Sequence, residues 1–486
     1  MSIRLSKSKL IAFRQCPKRL WLEVHRSELG IYDASAQSRF ETGYRIGDFA
    51  QSLYPDGVQI APDNNLTAAL KQTTQLLSVS PRKTLFEATF QAEGILVRAD
   101  LLVPIKAGWH MVEVKSSTTV KDYHVEDAAI QSWVARKAGL PLANTSLLFV
   151  DSKWTYPGGH DYSGLLKLEP VDVCIAPLRS EVPKWLAAAK AVASAAEPVV
   201  KMGGQCNNPF ACAFQSYCES QTAPVQFPIS WLPSLHHAKR AKYEAAGLLD
   251  LREIPADDLS SKQRKVLRAT INDEVFFEAL TEEERQTLAG SRYYLDFETI
   301  SFTIPIWAGT RPYQQVPFQW SCHIETTDGA ITHQMFLDLT GNDPSRGFAE
   351  SLIAMLSKSR PIVVYNQAFE KGIMSALAIR FPDLAGELHQ AIDCVVDLLP
   401  LANEHYYHPS MKGSWSIKAV LPAIAPELDY ANLEEVADGL GAQTAYMEAI
   451  QQDTSSERKT QLETGLREYC ARDTLAMIKI LHYLCK

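Results

Sequence analysis

The chain has 486 residues, of which 46% are hydrophobic, and it carries a formal net charge of −8. A single hydrophobic core stops growing at about 250–300 residues, so the length predicts at least two domains. The acidic balance argues against a protein that coats nucleic acid through bulk positive charge, but it is compatible with an enzyme whose sites concentrate carboxylates.

Hydropathy and cysteine content indicate the cellular compartment to expect. No stretch reaches the roughly 18 uncharged apolar residues of a membrane span, and the opening MSIRLSKSKLIAF lacks the apolar run of a signal peptide. We therefore expect a cytoplasmic protein that does not enter a membrane. Nine cysteines would be kept reduced there, so clustered cysteines predict a metal group rather than disulfides.

The periodicity of apolar residues divides the chain into three parts. Residues 1–222 mix strand-like and helix-like segments, and a Pro-rich polar stretch then interrupts both patterns. Residues 223–290 have the pattern of a connector made of short helices. Strands and helices alternate again over 291–486. The sequence thus predicts an α/β protein with two domains joined by a helical connector.

Three polar residues fall on two predicted strands of the first domain. Asp100 ends LVRAD, and HMVEVKSS carries Glu113 and Lys115 on one face because side chains alternate along a strand. Hydrolysis of a phosphodiester needs a divalent cation, and the carboxylates of Asp100 and Glu113 suit Mg²⁺ or Mn²⁺. Lys115 would orient the attacking water or stabilise the developing charge.

A glutamine downstream extends this pattern. Gln131 lies in the helix-like segment DAAIQSWVARKAGL, and with Asp100 and Glu-x-Lys it resembles the RecB-like PD-(D/E)xK nucleases, especially the CRISPR-associated and AddB-like members that hold an iron-sulfur cluster. The resemblance implies a restriction-endonuclease-like domain with Gln131 as its motif glutamine. The family's first motif has a metal-binding His where this chain has Gly47. Metal binding is then either weaker or completed by another group, such as Asp48 or Glu87.

Four cysteines of the first domain are set apart by their spacing. QCNNPFACAFQSYC places Cys206, Cys212 and Cys218 at equal intervals, and Cys16 lies alone near the N-terminus in FRQCPKRLW. Four thiolates hold either a tetrahedral zinc or an iron-sulfur cluster, and the wide intervals fit a short zinc knuckle poorly. The resemblance to the iron-sulfur nucleases implies a [4Fe-4S] cluster, and zinc remains the alternative.

Acidic residues mark three segments of the second domain. YYLDFETI places Asp296 and Glu298 on one face of a strand that is apolar enough to be buried. Burying two like charges is costly unless cations compensate them. PIVVYNQAFEKGIM places Glu370 in the helix after a strand. LREYCARDTLAMIKIL aligns Tyr469 and Asp473 on one face of a helix.

In this order the three segments resemble the motifs of DnaQ-like DEDD exonucleases of the tyrosine subclass. The resemblance implies an RNase H-like fold, with Mg²⁺ or Mn²⁺ ions held by the four carboxylates and Tyr469 positioning the attacking water. The implied reaction is stepwise release of nucleotides from a 3′ end. Glu370 stands where the family more often has Asp, so Asp393 and Asp397 are reserve candidates.

Taken together, the motifs predict a metal-dependent DNA nuclease with two sites, acting on DNA that is single-stranded or has free ends. One alternative is a DNA-binding scaffold whose first domain is inactive and whose exonuclease alone works. Another is an exonuclease that processes RNA. Biological pathway, oligomeric state and protein partners leave no signal in the sequence.

Overall fold

The chain is an α/β protein whose described residues form two compact units. Unit 1 comprises Met1–Pro224 with Phe302–Tyr313, and unit 2 comprises Val225–Ser301 with Gln314–Lys486. Most of the stretch expected to be a connector is therefore part of unit 2. The computed structural model describes residues 4–61, 65–356, 360–428 and 435–486.

Unit 1 is built on a mixed sheet that has seven strands among the described residues. Its order is β2-β3-β4-β5-β6-β7, and β1 pairs with β4. Pairing is antiparallel for β3-β4, β4-β5 and β6-β7, and parallel for the others. The strands are β1 (Leu5–Ser6), β2 (Val58–Gln59), β3 (Leu85–Ala92), β4 (Ile95–Ile105), β5 (Gly108–Lys115), β6 (Leu142–Val150) and β7 (Leu166–Pro170).

Helices cover this sheet and form its main core. Apolar side chains of β4 pack with those of the helices, so Val97, Leu10, Ile130 and Val182 are all buried in one cluster. Their burial is the main favourable contribution to folding of this unit. The helices are α1 (Lys7–Gln15), α2 (Pro17–His25), α3 (Ala34–Ser52), α4 (Leu66–Leu77), α5 (Asp122–Lys137), α6 (Asp172–Ser194) and α7 (Gln215–Ser220).

Unit 2 is built on a second mixed sheet with the order β11-β10-β9-β12-β13. The pairs β11-β10 and β10-β9 are antiparallel, whereas β9-β12 and β12-β13 are parallel. A small ribbon of β8 and β14 stands apart. The strands are β8 (Phe276–Phe277), β9 (Arg292–Ile300), β10 (Val316–Glu325), β11 (Ile331–Leu337), β12 (Ile362–Val364), β13 (Val395–Asp397) and β14 (Tyr406–Tyr407).

The central strand β9 and the long helix α17 organise this unit. Tyr293, Tyr294 and Leu295 are buried, as expected for a strand with neighbours on both sides. Helix α17 packs against β9 and β10. The helices are α8 (His237–Ala245), α9 (Ser261–Asn272), α10 (Glu282–Thr287), α11 (Ser345–Met355), α12 (Ala368–Arg380), α13 (Ala385–Asp393), α14 (Leu398–His405), α15 (Ile417–Ile424), α16 (Gly439–Ala449) and α17 (Ser456–Leu484).

Within the described ranges, no helix combines the length and the apolar character needed to cross a membrane.

Candidate functional site

The acidic residues of unit 2 come together where α17 crosses β9. Asp296 and Glu298 lie two residues apart on β9 and therefore share a face. Asp473 lies on α17, one turn after Tyr469. Ligand atoms of Asp296, Glu298 and Cys470 all lie within 4.8 Å of one another. The structure thus brings residues from distant parts of the sequence into one acidic cluster.

The charges of the carboxyl groups in this cluster affect one another. Burial raises the pKa of Asp296 well above its ordinary value, and the charges of Asp473, Glu298 and Glu370 raise it further. Glu298, Asp473 and Glu370 are themselves only 9%, 8% and 2% exposed. Burial, followed by the charge of Asp473, raises the pKa of Glu298 to about 8. Asp296 is therefore the carboxylate that interacts with all three others.

Glu370 is presented by the first turn of α12, and that turn is held by Asp397. The Asp397 carboxylate accepts hydrogen bonds from the backbone N–H groups of Asn366 at 2.9 Å and Gln367 at 3.1 Å. Burial raises the pKa of Glu370 to about 8. Its Oε2 is buried and has no hydrogen-bond partner among the described residues. The Glu370 carboxyl is thus fixed in position with one oxygen available to a ligand.

The two reserve candidates have other positions. Asp397 caps α14, because its side chain accepts a hydrogen bond from the backbone N–H of Leu399, and it also holds the start of α12. Asp393 ends α13 and is exposed. The structure therefore gives Asp397 a positioning role next to Glu370 and gives Asp393 none in the acidic cluster.

Tyr469 is buried beside the carboxylates. Burial raises its pKa far above the ordinary value, and the charges of Asp473, Glu298 and Asp296 add to this effect. The phenol therefore stays neutral at all working pH values. The Nζ of Lys418, on α15, lies 5.0 Å from the centre of the Tyr469 ring, and the charge of Lys418 lowers the pKa of Glu298.

Sequence reasoning missed Lys418 and Cys470. The Cys470 thiol donates a hydrogen bond to Oδ2 of Asp296 at 3.4 Å. Its position directly after Tyr469 on a helix that faces the cluster was an available signal. Lys418 had no comparable signal, because only the packing of α15 brings it near Glu298.

The buried carboxyl groups predict how the stability of the metal-free protein depends on pH. The pKa of Glu298 and that of Glu370 are about 8 in the folded chain, compared with about 4.3 for an ordinary glutamate. The folded state therefore holds these protons more tightly, and the stability they contribute is complete below pH 4.3 and lost as pH rises through 8.

We accordingly expect the Tm of the wild type in EDTA to fall between pH 5 and pH 9, by calorimetry at matched ionic strength. The Glu298→Gln variant has no carboxyl to ionise at this position, so its Tm should fall less over the same range. Equal slopes for the two proteins would contradict the assignment of raised pKa values to this cluster.

The polar residues predicted in unit 1 also converge, and two further residues join them. Lys115 donates to Glu113 at 2.7 Å and to Asp127 at 2.6 Å. Lys7 donates to Glu113 at 2.8 Å and lies 3.2 Å from Asp127. The two ammonium and two carboxylate groups thus alternate in a closed arrangement, called the charge ring below. Gln131 donates to the remaining oxygen of Glu113, Oε2.

The charges in the ring support one another. Burial opposes ionisation of Lys7 and Lys115, but Asp127 and Glu113 raise the pKa of both lysines above the ordinary value. Burial likewise opposes ionisation of Glu113, yet the two lysines lower its pKa below the ordinary value. All three groups are therefore charged at neutral pH.

Asp100 lies beside the charge ring. Its Oδ2 accepts a hydrogen bond from the backbone N–H of Val114 at 2.7 Å. Burial raises its pKa well above the ordinary value, with further contributions from the charges of Glu113 and Glu87. Glu87 has a positive φ of 56° on β3, a strained conformation for a residue with a side chain. Asp48 is exposed on α3.

The four predicted cysteines line one pocket in unit 1. Cys16, Cys206, Cys212 and Cys218 share this pocket with Lys18 and other side chains. The N-terminal and C-terminal parts of the pocket are joined by Gln15, whose side-chain amide donates to the backbone carbonyls of residues 205 and 210 at 2.7 and 2.8 Å. The structure thus brings Cys16 to the three cysteines that follow it about 190 residues later.

Two cations border the cysteine pocket. Burial raises the pKa of the Cys218 thiol, and Lys18 lowers it. Burial similarly raises the pKa of the Cys212 thiol, and Arg19 lowers it. The charges of neighbouring cysteines in the pocket also raise the pKa of both thiols. Four sulfurs with two adjacent cations form a donor set that fits a metal group of negative net charge.

Comparison with known proteins gives a family model, a relative and solved structures that resemble this chain. Residues 293–416 match the family described as "Domain of unknown function (DUF2779)". The "Uncharacterized protein MG366 homolog" of Mycoplasma pneumoniae (strain ATCC 29342 / M129 / Subtype 1) is 24% identical over 216 residues, which are 40% of this chain and 32% of that protein. The chain thus spans about a third of the length of this relative. The crystal structure of SSO0001 aligns with 46% of this chain and 89% of its own, at 13% identity and a TM-score of 0.23.

Proposed function

We propose that unit 2 is a metal-dependent exonuclease that releases nucleotides one at a time from the 3′ end of DNA. The observation that carries this proposal is that Asp296 and Glu298 offer ligand atoms within 4.8 Å of each other, while the buried Asp473 and Glu370 are near enough for their charges to raise the pKa of Asp296. Burying three carboxyl groups beside a fourth is unfavourable unless cations compensate them, so the cluster has the character of a cation site rather than of a structural core.

The residues of this cluster fit hard divalent cations. Asp296, Glu298, Glu370 and Asp473 would hold Mg²⁺ or Mn²⁺, which prefer carboxylate oxygens, and the buried Oε2 of Glu370 has no hydrogen-bond partner among the described residues. Bound there, the ions would supply the positive charge that a phosphodiester needs for attack by water.

The other side chains have supporting roles in this proposal. Tyr469 keeps its phenolic proton, so it can hydrogen-bond an attacking water and hold it in line with the scissile phosphate. The Cys470 thiol fixes the orientation of Asp296 by donating to it. The ammonium of Lys418 partly balances the charge of Glu298.

We propose that the cysteine pocket of unit 1 holds a [4Fe-4S] cluster. The equal, wide sequence intervals between Cys206, Cys212 and Cys218 fit a short zinc knuckle poorly, and all four cysteines line one pocket. A cluster that is sensitive to oxidation suits a reducing compartment, and we therefore propose a cytoplasmic location.

For unit 1 the motifs imply a second, RecB-like nuclease site, and the alternative is a DNA-binding scaffold without catalysis. The charge ring favours the alternative, because the lysines and Gln131 already contact both oxygens of Glu113. We therefore assign cleavage to unit 2. RNA remains the alternative substrate, since DNA and RNA have the same phosphodiester linkage for such a cluster to act on.

Digestion of end-labelled single strands tests the proposal. With Mg²⁺ or Mn²⁺, DNA labelled at its 5′ end should give a ladder of progressively shorter products, whereas DNA labelled at its 3′ end should lose its label in the first step. EDTA should stop both reactions. Matched RNA strands compare the two polymers. The Asp393→Asn variant, altered at an exposed carboxylate outside the cluster, should behave as the wild type. Products formed only by internal cuts, or none at all, would contradict the proposal.

A further inference from the structure

The charge ring of unit 1 is complete without any added cation. Lys7 and Lys115 both contact Oε1 of Glu113, and Gln131 occupies its Oε2. Both lysines also contact the Asp127 carboxylate. Two ammonium groups and two carboxyl groups therefore lie at close range, with the carboxyl groups buried and the lysine side chains 22% and 19% exposed.

This arrangement does not fit the divalent cation that the motifs imply. Mg²⁺ would have to approach a carboxylate oxygen to about 2.0–2.1 Å. The Nζ of Lys7 is 2.8 Å from Oε1 of Glu113, and that of Lys115 is 2.7 Å from the same atom. A third positive charge at this oxygen would meet two ammonium groups at short range, so it could bind only if one of them left.

The backbone holds Lys7 in this position. Lys7 is the first residue of α1, which is capped by the Ser6 side chain. The preceding strand β1 pairs in parallel with Ile95 and Leu96 of β4, the strand that carries Asp100. Leu5 is fully buried next to this pairing. The ammonium is therefore delivered to the ring by rigid elements rather than by a loose N-terminal arm.

We propose that Lys7 is the built-in cation of unit 1: its ammonium takes the place of a divalent metal ion beside Glu113, both of whose oxygens are already contacted. Asp127 pairs with both lysines, and its buried Oδ1, which has no hydrogen-bond partner among the described residues, lies 3.2 Å from the Lys7 ammonium. Unit 1 is then a metal-independent module as far as this ring is concerned. The inference rests on the proposed function in one respect, because it leaves cleavage to unit 2. It also identifies Lys7 and Asp127 as partners of the predicted motif residues.

Removing the ammonium should convert the ring into a metal site. In the Lys7→Met variant, Asp100, Glu113 and Asp127 would share the single ammonium of Lys115. Such a carboxylate-rich site binds Mn²⁺. Lys9→Met is the matched control, since Lys9 lies two residues further along the same helix and is outside the ring.

The test is isothermal titration of the full chain with Mn²⁺, in a background where Asp296→Asn and Asp473→Asn remove the cluster of unit 2. We expect about one additional Mn²⁺ ion per chain for Lys7→Met and none for Lys9→Met. Adding Asp100→Asn to Lys7→Met should abolish the additional binding. If Lys7→Met bound no more Mn²⁺ than its parent, the inference would be wrong.

A second titration uses a variant that retains Lys7, so its result does not depend on whether Lys7→Met folds. In the same background, Glu113→Gln should leave the Mn²⁺ stoichiometry of the chain unchanged. A loss of one bound ion on Glu113→Gln would show that unit 1 already binds metal there and would overturn the inference. The exonuclease assay on the wild type is independent of both results, so failure of the proposed function would be seen separately.

Discussion

Replacing Asp296 by asparagine is expected to abolish shortening of DNA from its 3′ end, with a fall in rate of roughly three orders of magnitude. Asp296 is the carboxylate that interacts with Glu298, Glu370 and Asp473, so its loss would affect each of the proposed cation ligands. The side chain keeps its size, and the packing around β9 should be preserved. A quantitative time course with end-labelled DNA measures the effect.

The same variant should be more stable than the wild type when no metal is present. The pKa of Asp296 is raised in the folded chain, so at neutral pH folding must protonate a carboxyl that is ionised in the unfolded chain. Asp296→Asn removes this cost, which we expect to stabilise the metal-free protein by roughly 1–2 kcal/mol. Denaturation in EDTA measures this. Loss of activity with a gain in stability is characteristic of a functional carboxylate, whereas a structural one would lose both. Activity retained by a folded Asp296→Asn protein would contradict the exonuclease proposal.

The second large effect is expected for Cys16→Ser. This change removes the sulfur that links the N-terminal part of unit 1 to the three cysteines about 190 residues later, so the variant should lose its iron and its visible absorption. Because a bond that closes such a long loop restricts the unfolded chain, we expect a loss of about 3 kcal/mol or more in the free energy of unfolding.

Cys174→Ser is the matched control for this prediction. Cys174 is exposed on α6 and does not line the cysteine pocket, so its replacement should alter neither the iron content nor the stability. Metal analysis and absorption spectra of anaerobically purified proteins give the comparison. A colourless wild type with stoichiometric zinc would show that the pocket holds the alternative metal.

The spacing of residues along the sequence was enough to predict which of them share a face of one strand or one helix. The α/β class is confirmed by the structure. Asp296 and Glu298 lie on one strand because their two-residue spacing matches the pleat, and Tyr469 and Asp473 lie on one helix because their four-residue spacing matches the helical turn. Asp127 could have been found in the same way, since it precedes Gln131 by four residues on α5.

Contacts between distant segments could not be derived from spacing. Lys7 meets Glu113 across 106 residues, and no periodicity relates them. The sequence of the predicted connector indicates amphipathic helices, but it does not show against which part of the chain their apolar faces pack. In the structure Val266 of α9 packs with Leu481 and Leu484 of α17, which makes the connector part of the core of unit 2. Similarly, nothing in the sequence indicated that the segment Phe302–Tyr313 belongs to unit 1.

The central claim is that the buried carboxylates of unit 2 bind divalent cations, and anomalous X-ray scattering from crystals grown with Mn²⁺ tests it most directly. We predict an anomalous peak within ligand distance of Asp296, Glu298 and Asp473, which disappears in the Asp296→Asn variant. Wild-type crystals with no manganese at these carboxylates, while the metal is bound elsewhere in the same crystal, would contradict the account.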